Sequence, residues 1–240
     1  MKAIVFSAGL GTRLKQETSG KPKALVEIGG KPLLAHVIGK LKREGISDVV
    51  VNVHHFANQI IDYVNQNDFG LPVRISDETS KLLDTGGALK KAAPLLQSKG
   101  EPVLMYNVDV LSTISIADLQ NEHEQSGALA TLAVRSRETQ RYFKFGPDKR
   151  LVGWINKTTG EKKVSVSEGF EDAVEMAFSG IHIASPKIFD LLPENDYFSM
   201  TSLYLNLANN HLIRGYFDPS DLWMDVGKPE ELKKARRLYQ

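Results

Sequence analysis

The stretch Ala3-Ile4-Val5-Phe6-Ser7-Ala8-Gly9-Leu10-Gly11-Thr12-Arg13-Leu14 joins a short apolar run to a basic loop with two glycines. The apolar run predicts a buried β-strand. Glycine permits positive φ and close approach of the backbone to a ligand, so Gly9 and Gly11 can turn successive N–H groups toward phosphate oxygens. Arg13 and Lys23 add full positive charges. The stretch therefore predicts a strand followed by an anion-binding loop.

Spacing separates this loop from two better-known phosphate loops. A dinucleotide fingerprint needs a third glycine where Leu14 stands, and no helical pattern begins until about Pro32. A Walker loop needs Ser or Thr after Gly20-Lys21, and Pro22 follows instead. The remaining local alternative is a solvated turn with scattered basic residues.

Composition limits the partners and the location of the chain. With 240 residues, 42% hydrophobic and 25% charged, the chain is expected to form one large globular domain. A net charge of +1 predicts neither a nucleic-acid nor a membrane partner. The absence of cysteine excludes disulfides and predicts a cytoplasmic location. The first residues already have a strand pattern, so neither a signal peptide nor a membrane anchor is expected.

Apolar periodicity alternates between strand and helix over the first seventy residues. Helical spacing covers about Pro32 to Glu44, a β-branched run covers Asp48 to Val53, and helical spacing resumes at Phe56. This alternation predicts an α/β fold: a Rossmann-like mixed, mostly parallel sheet with helices on both faces. Short strands and turns over about residues 135–177 predict a small additional β subdomain.

Two aspartates follow predicted strands. Pro102 to Leu111 is predicted as one buried strand whose carboxylate is Asp109. In open α/β sheets, ligands gather at the carboxyl ends of the strands, so Asp109 should share a crevice with the glycine loop. Asp225 ends a later strand, just before the last helix. The local alternatives are a turn aspartate and a helix-entry residue.

A third segment places two glycines at the start of a helix. Thr85 is predicted as the N-cap, and Gly86 and Gly87 open the helix that continues through Leu96. A helix N-terminus of this kind can receive the polar edge of a ligand. A capped helix with a tight turn is the local alternative.

Taken together, these motifs resemble those of the sugar-phosphate nucleotidylyltransferases. The resemblance is carried, in the order of that family, by residues 7–34, 82–90, 106–109, 178–182 and 222–229. It implies roles for particular residues. The implied catalytic residues are Arg13 and Lys23, and the implied nucleotide-binding residues are Ala8, Gly9, Gly11, Thr12, Thr85, Gly86, Gly87 and Asn107. The implied sugar-phosphate contacts are Lys157 and Gly180, and the implied Mg²⁺ ligands are Asp109 and Asp225.

The chain departs from the family pattern at four places, one of which is Lys15-Gln16-Glu17 in place of a Pro-Leu-Thr segment. Ser7 stands where alanine is usual, Val108 replaces a glycine, and Asn156-Lys157-Thr158 replaces Glu-Lys-Pro. Within the family, the compact length and the Thr-Gly-Gly segment most resemble the N-acetylmuramate-1-phosphate uridylyltransferases and the enzymes that act on mannose or heptose 1-phosphates.

The resemblance implies one nucleotidyltransferase domain over residues 1–240, with a nucleotide-binding part at 1–134 and a sugar-binding part at 135–240. The expected reaction transfers a nucleoside monophosphate from a triphosphate, UTP or GTP, to a sugar 1-phosphate and releases pyrophosphate, with Mg²⁺ as cofactor. The base, the sugar and the oligomeric state stay open at this stage.

Two other functions remain as alternatives. A regulatory protein that binds nucleotides without turnover would not need to keep Arg13, Lys23, Asp109 and Asp225. An NAD-dependent oxidoreductase would need an acidic residue for the ribose, and the second strand ends instead at Val53-His54-His55.

Overall fold

The computed structural model of the protein describes residues 1–97 and 100–239, so Gln240, the last residue of the predicted domain, lies outside the described residues. The strands in these ranges are β1 Lys2–Phe6, β2 Glu27–Ile28, β3 Lys31–Pro32, β4 Asp48–Val53, β5 Val73–Asp77, β6 Val103–Asn107, β7 Val110–Ser112, β8 Ala130–Arg135, β9 Arg141–Phe145, β10 Leu151–Asn156, β11 Lys162–Val164, β12 Val174–Ala184, β13 Ile213–Phe217 and β14 Trp223–Asp225. The α-helices are α1 Leu33–Arg43, α2 Ala57–Gln66, α3 Asp84–Leu96, α4 Ile116–Ser126, α5 Met200–Leu207 and α6 Pro229–Leu238.

The main sheet has the spatial order β11-β10-β9-β12-β6-β1-β4-β5, and β8 and β13 join it beside β12. Strands β5, β4, β1 and β6 run parallel to one another, whereas β12 is antiparallel to β6. The carboxyl ends of β1 and β6 therefore lie side by side, with Phe6 opposite Asn107. This arrangement confirms the predicted mixed α/β fold.

Helices cover both faces of the sheet because the parallel strands are apolar on both faces. In β1, Ala3 and Val5 face one core, and Ile4 and Phe6 face the other. Helices α1, α2, α4 and α6 pack into the first core, and α3 and α5 pack into the second. Helices thus hold β1 from both faces of the sheet, and the loop with the basic residues follows this strand.

The prediction of one continuous strand from Pro102 to Leu111 is wrong for the second half of that range. The main-sheet strand β6 ends at Asn107, a turn follows at Val108 and Asp109, and β7 then pairs antiparallel with β14 in a separate ladder. The last bond to β1 runs from the Val108 amide to the Phe6 carbonyl at 3.2 Å. The chain then leaves the main sheet, so Asp109 lies in a turn and not at the end of a continuous strand.

Strands β9, β10 and β11 extend the main sheet beyond β12 and have a small core of Val152, Phe170 and Ala173. They fall within the predicted subdomain at 135–177. The boundary between residues 134 and 135 falls inside β8, just before its last residue, and the division of the domain there stays a prediction. Among the described residues, no helix combines the length and apolar character that crossing a membrane requires.

Candidate active site

The centre of the site is a cluster of two cations and two carboxylates, all of them predicted. The Lys23 Nζ lies 2.6 Å from the Asp109 Oδ2. The Arg13 guanidinium spans both carboxylates, with Nη1 at 3.1 Å from the Asp225 Oδ2 and Nη2 at 3.5 Å from the Asp109 Oδ2. Arg13 lies in a 3₁₀ helix at Thr12–Thr18, and Lys23 begins a second one at Lys23–Leu25. The fold thus brings together residues that are up to 212 positions apart.

The pairing of β7 with β14 brings the two aspartates together. Asp225 lies opposite Val110, the residue after Asp109, and the Val226 amide donates to the Asp109 carbonyl at 2.9 Å. Gly227 lies next to the side chains of this cluster and adds no side chain of its own. A Cβ at this position would lie 2.7 Å from the Asp109 Oδ2, 2.9 Å from the Asp225 Oδ1 and 2.8 Å from the Arg13 Nη2. The sequence motif Asp225-Val226-Gly227 indicates a role for its aspartate, but no local pattern in it indicates that of the glycine.

The donor set suits a hard divalent cation that binds substrate at the same time. Both carboxylates offer oxygen ligands, and Gly227 places no side chain between them. Within the described ranges, no group of three or more His, Cys, Asp or Glu side chains could enclose a metal. Two carboxylates fit Mg²⁺, which usually keeps several waters and completes its shell with phosphate oxygens.

A pocket of about 350 Å³ opens beside this cluster, and the loop after β1 lines part of it. Its lining includes Ala8, Gly9, Thr85 and Asn107, together with Arg13, Lys23 and Asp109. Gly11 adopts φ +67°, which lets the chain turn into the 3₁₀ helix that begins at Thr12. The pocket thus brings Ala8 and Gly9 of the loop together with Arg13 and Lys23, and the binding of phosphate there stays a prediction.

A second cavity, of about 610 Å³, adjoins the first. The two share Phe6, Asp84, Thr85 and Asn107 in their linings. The larger cavity is also lined by Arg137, Arg141, Lys163 and Trp154, none of which was predicted. Their sequence context, a run of short polar strands, offered no sign of which side chains would point inward. Two adjoining cavities can hold two reactants at once.

Buried polar groups support the wall of the smaller pocket. Glu78 is fully buried, its Oε1 accepts from the Asn52 Nδ2 at 2.9 Å, and its Oε2 has no hydrogen-bond partner among the described residues. Burial raises the pKa of the Glu78 carboxyl, against the lowering effect of the Asn52 hydrogen bond. The Asn52 Oδ1 in turn accepts from the Ser7 amide at 2.7 Å. The Ser7 Oγ also donates to the Asn52 carbonyl, a bond that the alanine usual at this position in the family could not form.

The model of the nucleotidyl transferase family matches residues 2–240, which is nearly the whole chain. The chain belongs to the nucleotidyl transferase family. The sequence motifs resemble those of the sugar-phosphate nucleotidylyltransferases, and this match confirms that resemblance. Family membership also explains why the motifs occur in a fixed order along the chain.

Individual members of the nucleotidyl transferase family resemble the chain over its full length. It is 34% identical over 252 residues to the N-acetylmuramate alpha-1-phosphate uridylyltransferase of Caulobacter vibrioides, covering 99% of this chain and 97% of that protein. It is 26% identical over 241 residues to the probable mannose-1-phosphate guanylyltransferase 2 of Oryza sativa subsp. japonica, covering 100% of this chain but 64% of the plant protein. The crystal structure of HddC from Yersinia pseudotuberculosis has a TM-score of 0.81 at 21% identity and covers 100% of this chain and 99% of that one. This last likeness shows a shared fold.

The helix segment predicted to bind nucleotide is built differently from the expectation. Helix α3 begins at Asp84 after Leu83, so the prediction that Thr85 is the N-cap is wrong. The Gly86 and Gly87 amides donate to the Phe198 carbonyl, at 2.9 and 3.2 Å. A Cβ on Gly87 would lie 1.9 Å from the Asp196 carbonyl oxygen. These glycines admit the segment at 196–198, and their contact with a nucleotide stays a prediction.

The two residues predicted to contact the sugar phosphate do not line the larger cavity. Lys157 is half exposed and its Nζ pairs with the Glu175 Oε1 at 2.7 Å. Gly180 is buried with φ +75°, at an irregularity in the pairing of β12, and a Cβ there would lie 2.7 Å from the Asn107 Nδ2. Packing against Asn107 explains this glycine without a sugar ring. Asn107 itself lies on the boundary between pocket and cavity.

Proposed function

We propose that the chain transfers a nucleoside monophosphate from a nucleoside triphosphate to a sugar 1-phosphate, giving a nucleoside diphosphate sugar and pyrophosphate, with Mg²⁺ as cofactor. The observation that carries the proposal is the cluster of Arg13, Lys23, Asp109 and Asp225 beside two adjoining cavities. The chain spans 64% of the length of the plant guanylyltransferase, so the activity is proposed for this chain and not transferred from that protein.

The chemistry is an in-line displacement that needs no covalent intermediate on the protein. An oxygen of the sugar 1-phosphate forms a bond to the α-phosphorus as the bond from that phosphorus to the bridging oxygen breaks. Pyrophosphate leaves with the electron pair. Both reactants are anions, so the protein must mainly hold them together and neutralise charge.

The residues of the cluster supply these two functions. Arg13 and Lys23, which pair with carboxylates in the structure, would donate to the phosphate oxygens of the triphosphate. Asp109 and Asp225 would hold Mg²⁺, which neutralises phosphate charge when bound. The glycine loop after β1 would place its backbone amides against the phosphates. The shared lining residues Thr85 and Asn107 would lie where the two reactants meet.

UTP and GTP are the proposed nucleotides, supported by relatives named as uridylyl and guanylyl transferases and by the solved complex of the Yersinia protein with GMP-PN. A cytoplasmic location stays a prediction from the lack of cysteine. The oligomeric state is left open.

The decisive experiment measures pyrophosphate released over a matrix of the four common triphosphates and a panel of sugar 1-phosphates. We expect release only when both reactants are present, and we expect EDTA to abolish it and excess MgCl₂ to restore it. Release without any sugar phosphate would instead show a hydrolase. Nucleotide binding without release in any combination would support the regulatory alternative.

A further inference from the structure

Asp84 lies at the boundary between the two cavities of the site, since it lines both of them. The residue is half-buried. Its backbone has φ +59°, in the left-handed region that glycine adopts freely and that residues with a side chain adopt much less often. Position 84 therefore carries a carboxylate although its backbone conformation favours glycine.

One oxygen of this carboxylate binds within the protein. The Asp84 Oδ1 accepts hydrogen bonds from the Thr85 amide at 2.6 Å and from the Thr85 hydroxyl at 3.3 Å. The Thr85 Oγ1 in turn accepts from the Met200 amide at 3.0 Å. Met200 is the first residue of α5, so this helix holds Thr85, and Thr85 holds the Asp84 side chain in one orientation.

The second oxygen of Asp84, Oδ2, has no hydrogen-bond partner among residues 1–97 and 100–239. In these ranges, none of the cations that line the two cavities forms an ion pair with it. Asp84 is also separate from the pair Asp109 and Asp225, because no three acidic or histidine side chains of the described residues could enclose a metal. One oxygen of the carboxylate is therefore available to a ligand.

The chemistry of the two reactants limits what this oxygen can bind. A carboxylate oxygen accepts hydrogen bonds and donates none. The phosphate groups of both reactants are anions and acceptors, so they are repelled by Asp84 and attracted to Arg13 and Lys23. The donors closest to those phosphates are hydroxyl groups, on the ribose of the nucleotide and on the ring of the sugar 1-phosphate. Asp84, at the boundary of the two cavities, is placed for the parts of the reactants next to their phosphates.

We propose that the Asp84 Oδ2 accepts a hydrogen bond from a sugar hydroxyl of a reactant, either on the ribose of the nucleotide or on the ring of the sugar 1-phosphate, and so selects reactants that carry this hydroxyl. The inference rests on the proposed function and deepens it. Hydrogen bonds to a charged acceptor are stronger than those between neutral groups. A bound analogue without the hydroxyl would exclude water and leave the carboxylate oxygen without a donor, which is why such a site rejects it.

The test compares reactants with analogues that lack one hydroxyl. UTP and GTP are compared with their 2′-deoxy and 3′-deoxy forms. Glucose 1-phosphate and mannose 1-phosphate are compared with 2-deoxyglucose 1-phosphate, which is the 2-deoxy form of both. We expect kcat/KM of the wild type to fall about tenfold or more when the hydroxyl that Asp84 binds is missing, as for the loss of a hydrogen bond to a charged group. The nucleotide and sugar series distinguish the two sources of the hydroxyl.

The variant Asp84→Asn assigns the preference to this residue. Asparagine keeps an oxygen for the Thr85 amide and tolerates the left-handed conformation, but it replaces the Oδ2 acceptor by an amide donor. The ratio of kcat/KM between the hydroxylated compound and its deoxy form should fall from about tenfold to about one, a change that a loss of folding would not produce. Asp77→Asn is the matched control, because Asp77 also accepts from a backbone amide, that of Thr79 at 2.8 Å, and lines neither cavity.

A second variant, Asp84→Gly, covers the case in which the asparagine amide still binds the hydroxyl. It removes both oxygens and suits the left-handed backbone, so it should lose the preference as well. If the wild type does not distinguish any deoxy analogue, or if both variants keep its preference, the inference is overturned. Equal losses for hydroxylated and deoxy compounds in both variants would also overturn it, because Asp84 would then only hold the start of α3.

Failure of the proposed function would be distinguishable from failure of this inference. If no combination of compounds releases pyrophosphate, the transferase proposal fails, and binding of the same compounds with Mg²⁺ is compared by the rise in Tm that each causes. A larger rise with a hydroxylated compound than with its deoxy form, lost in Asp84→Asn, would support the inference. Equal rises for the two forms, or no rise with any compound, would overturn it.

Discussion

The charged cluster and the larger cavity differ in whether their charged side chains are paired and buried. In the cluster, Lys23 and Asp109 are paired at 2.6 Å, and only 13% and 10% of their side chains are exposed. In the cavity, Arg141 is exposed and has no partner within the described residues. Burying a charge is costly unless it is paired, so the reaction centre is internally neutralised before any ligand binds.

Because of this difference, the two regions should favour ligands of different charge. A ligand at the cluster has to exchange one set of ion pairs for another, which favours ligands that carry many charges, such as a triphosphate with Mg²⁺. A ligand at the cavity meets a charge that only water screens. We therefore expect the cluster to serve the chemistry that the family has in common and the cavity to distinguish between substrates.

The largest effect is expected from breaking the carboxylate pair. Asp109→Asn and Asp225→Asn should each lower Mg²⁺-dependent kcat about 10³-fold, and the double variant should lose little more, because residues that act as a unit are not additive. Turnover is measured in Mg²⁺ titrations. Asp221→Asn is the matched control, since Asp221 is exposed and close in sequence. Multiplicative losses, or full activity of Asp225→Asn, would break the shared-metal assignment.

The same variants should differ in stability. Asp109→Asn leaves the mostly buried Lys23 without its carboxylate, whereas Asp225→Asn affects the 54% exposed Arg13. Loss of one partner of a buried ion pair is the more destabilising change. Thermal melts of both variants would show a lower Tm for Asp109→Asn than for Asp225→Asn. The reverse order would contradict the internal neutralisation of the cluster.

The next effect tests the space between the carboxylates. In Gly227→Ala the new methyl group would lie within 3 Å of oxygens of both aspartates, so these must move apart. We expect kcat to fall about 10²-fold, as for the loss of one preorganised contact. Gly20→Ala is the control, because a Cβ at Gly20 meets nothing within 4 Å. Activity of Gly227→Ala within twofold of wild type would show that the two carboxylates need not converge.

The contrast between the regions also explains what could be predicted from the sequence. The apolar runs of β1 and β4 are buried on both faces, so periodicity was enough to predict the alternation of strands and helices. The grouping of Asp109 with Asp225 was implied by the resemblance to the family and not by periodicity. The turn at Val108 depends on β7 leaving the main sheet to pair with β14, a contact over more than a hundred positions. No local pattern contains that contact.

The cavity was less predictable for a related reason. Which of Lys157 and Arg141 faces the cavity depends on which face of β9 and β10 is packed against the rest of the protein. The alternation of polar residues along these strands does not indicate that face. Gly86 and Gly87 have the appearance of a ligand-binding helix start, yet they receive the segment at 196–198, which is far away in sequence.

A smaller effect is expected on the pH dependence of the free energy of unfolding, through His182 in the lining of the larger cavity. The folded pKa of His182 is about 3, far below its ordinary 6.5, so protonation favours the unfolded chain. The stabilisation is complete above pH 6.5 and is lost as the pH falls toward 3. At pH 5 the free energy of unfolding should therefore be about 2 kcal/mol lower than at pH 8 through this residue. His123, with a pKa of about 4, acts in the same direction.

Urea unfolding at pH 8 and pH 5 measures this dependence. The variant His182→Gln cannot titrate in this range, so its difference between the two pH values should be smaller than that of the wild type by about 2 kcal/mol. The comparison uses the pH dependence and not absolute stability, because the variant also alters the 2.6 Å hydrogen bond of His182 with the Tyr204 hydroxyl. An unchanged difference would mean that folding does not lower the pKa of His182.

The smallest effect is expected at Lys157, which the sequence predicted as a phosphate contact. Its ammonium is held by Glu175 and it does not line the cavity, so Lys157→Gln should leave the KM for the sugar 1-phosphate within about twofold, as is usual for an exposed ion pair. Arg137→Gln, made in parallel, should raise that KM about tenfold or more, because it removes a charged donor that does line the cavity. Steady-state kinetics with saturating triphosphate separate the two variants. A tenfold rise in KM for Lys157→Gln with none for Arg137→Gln would reverse the assignment and move the sugar phosphate to the outer side of β10, away from the carboxylates.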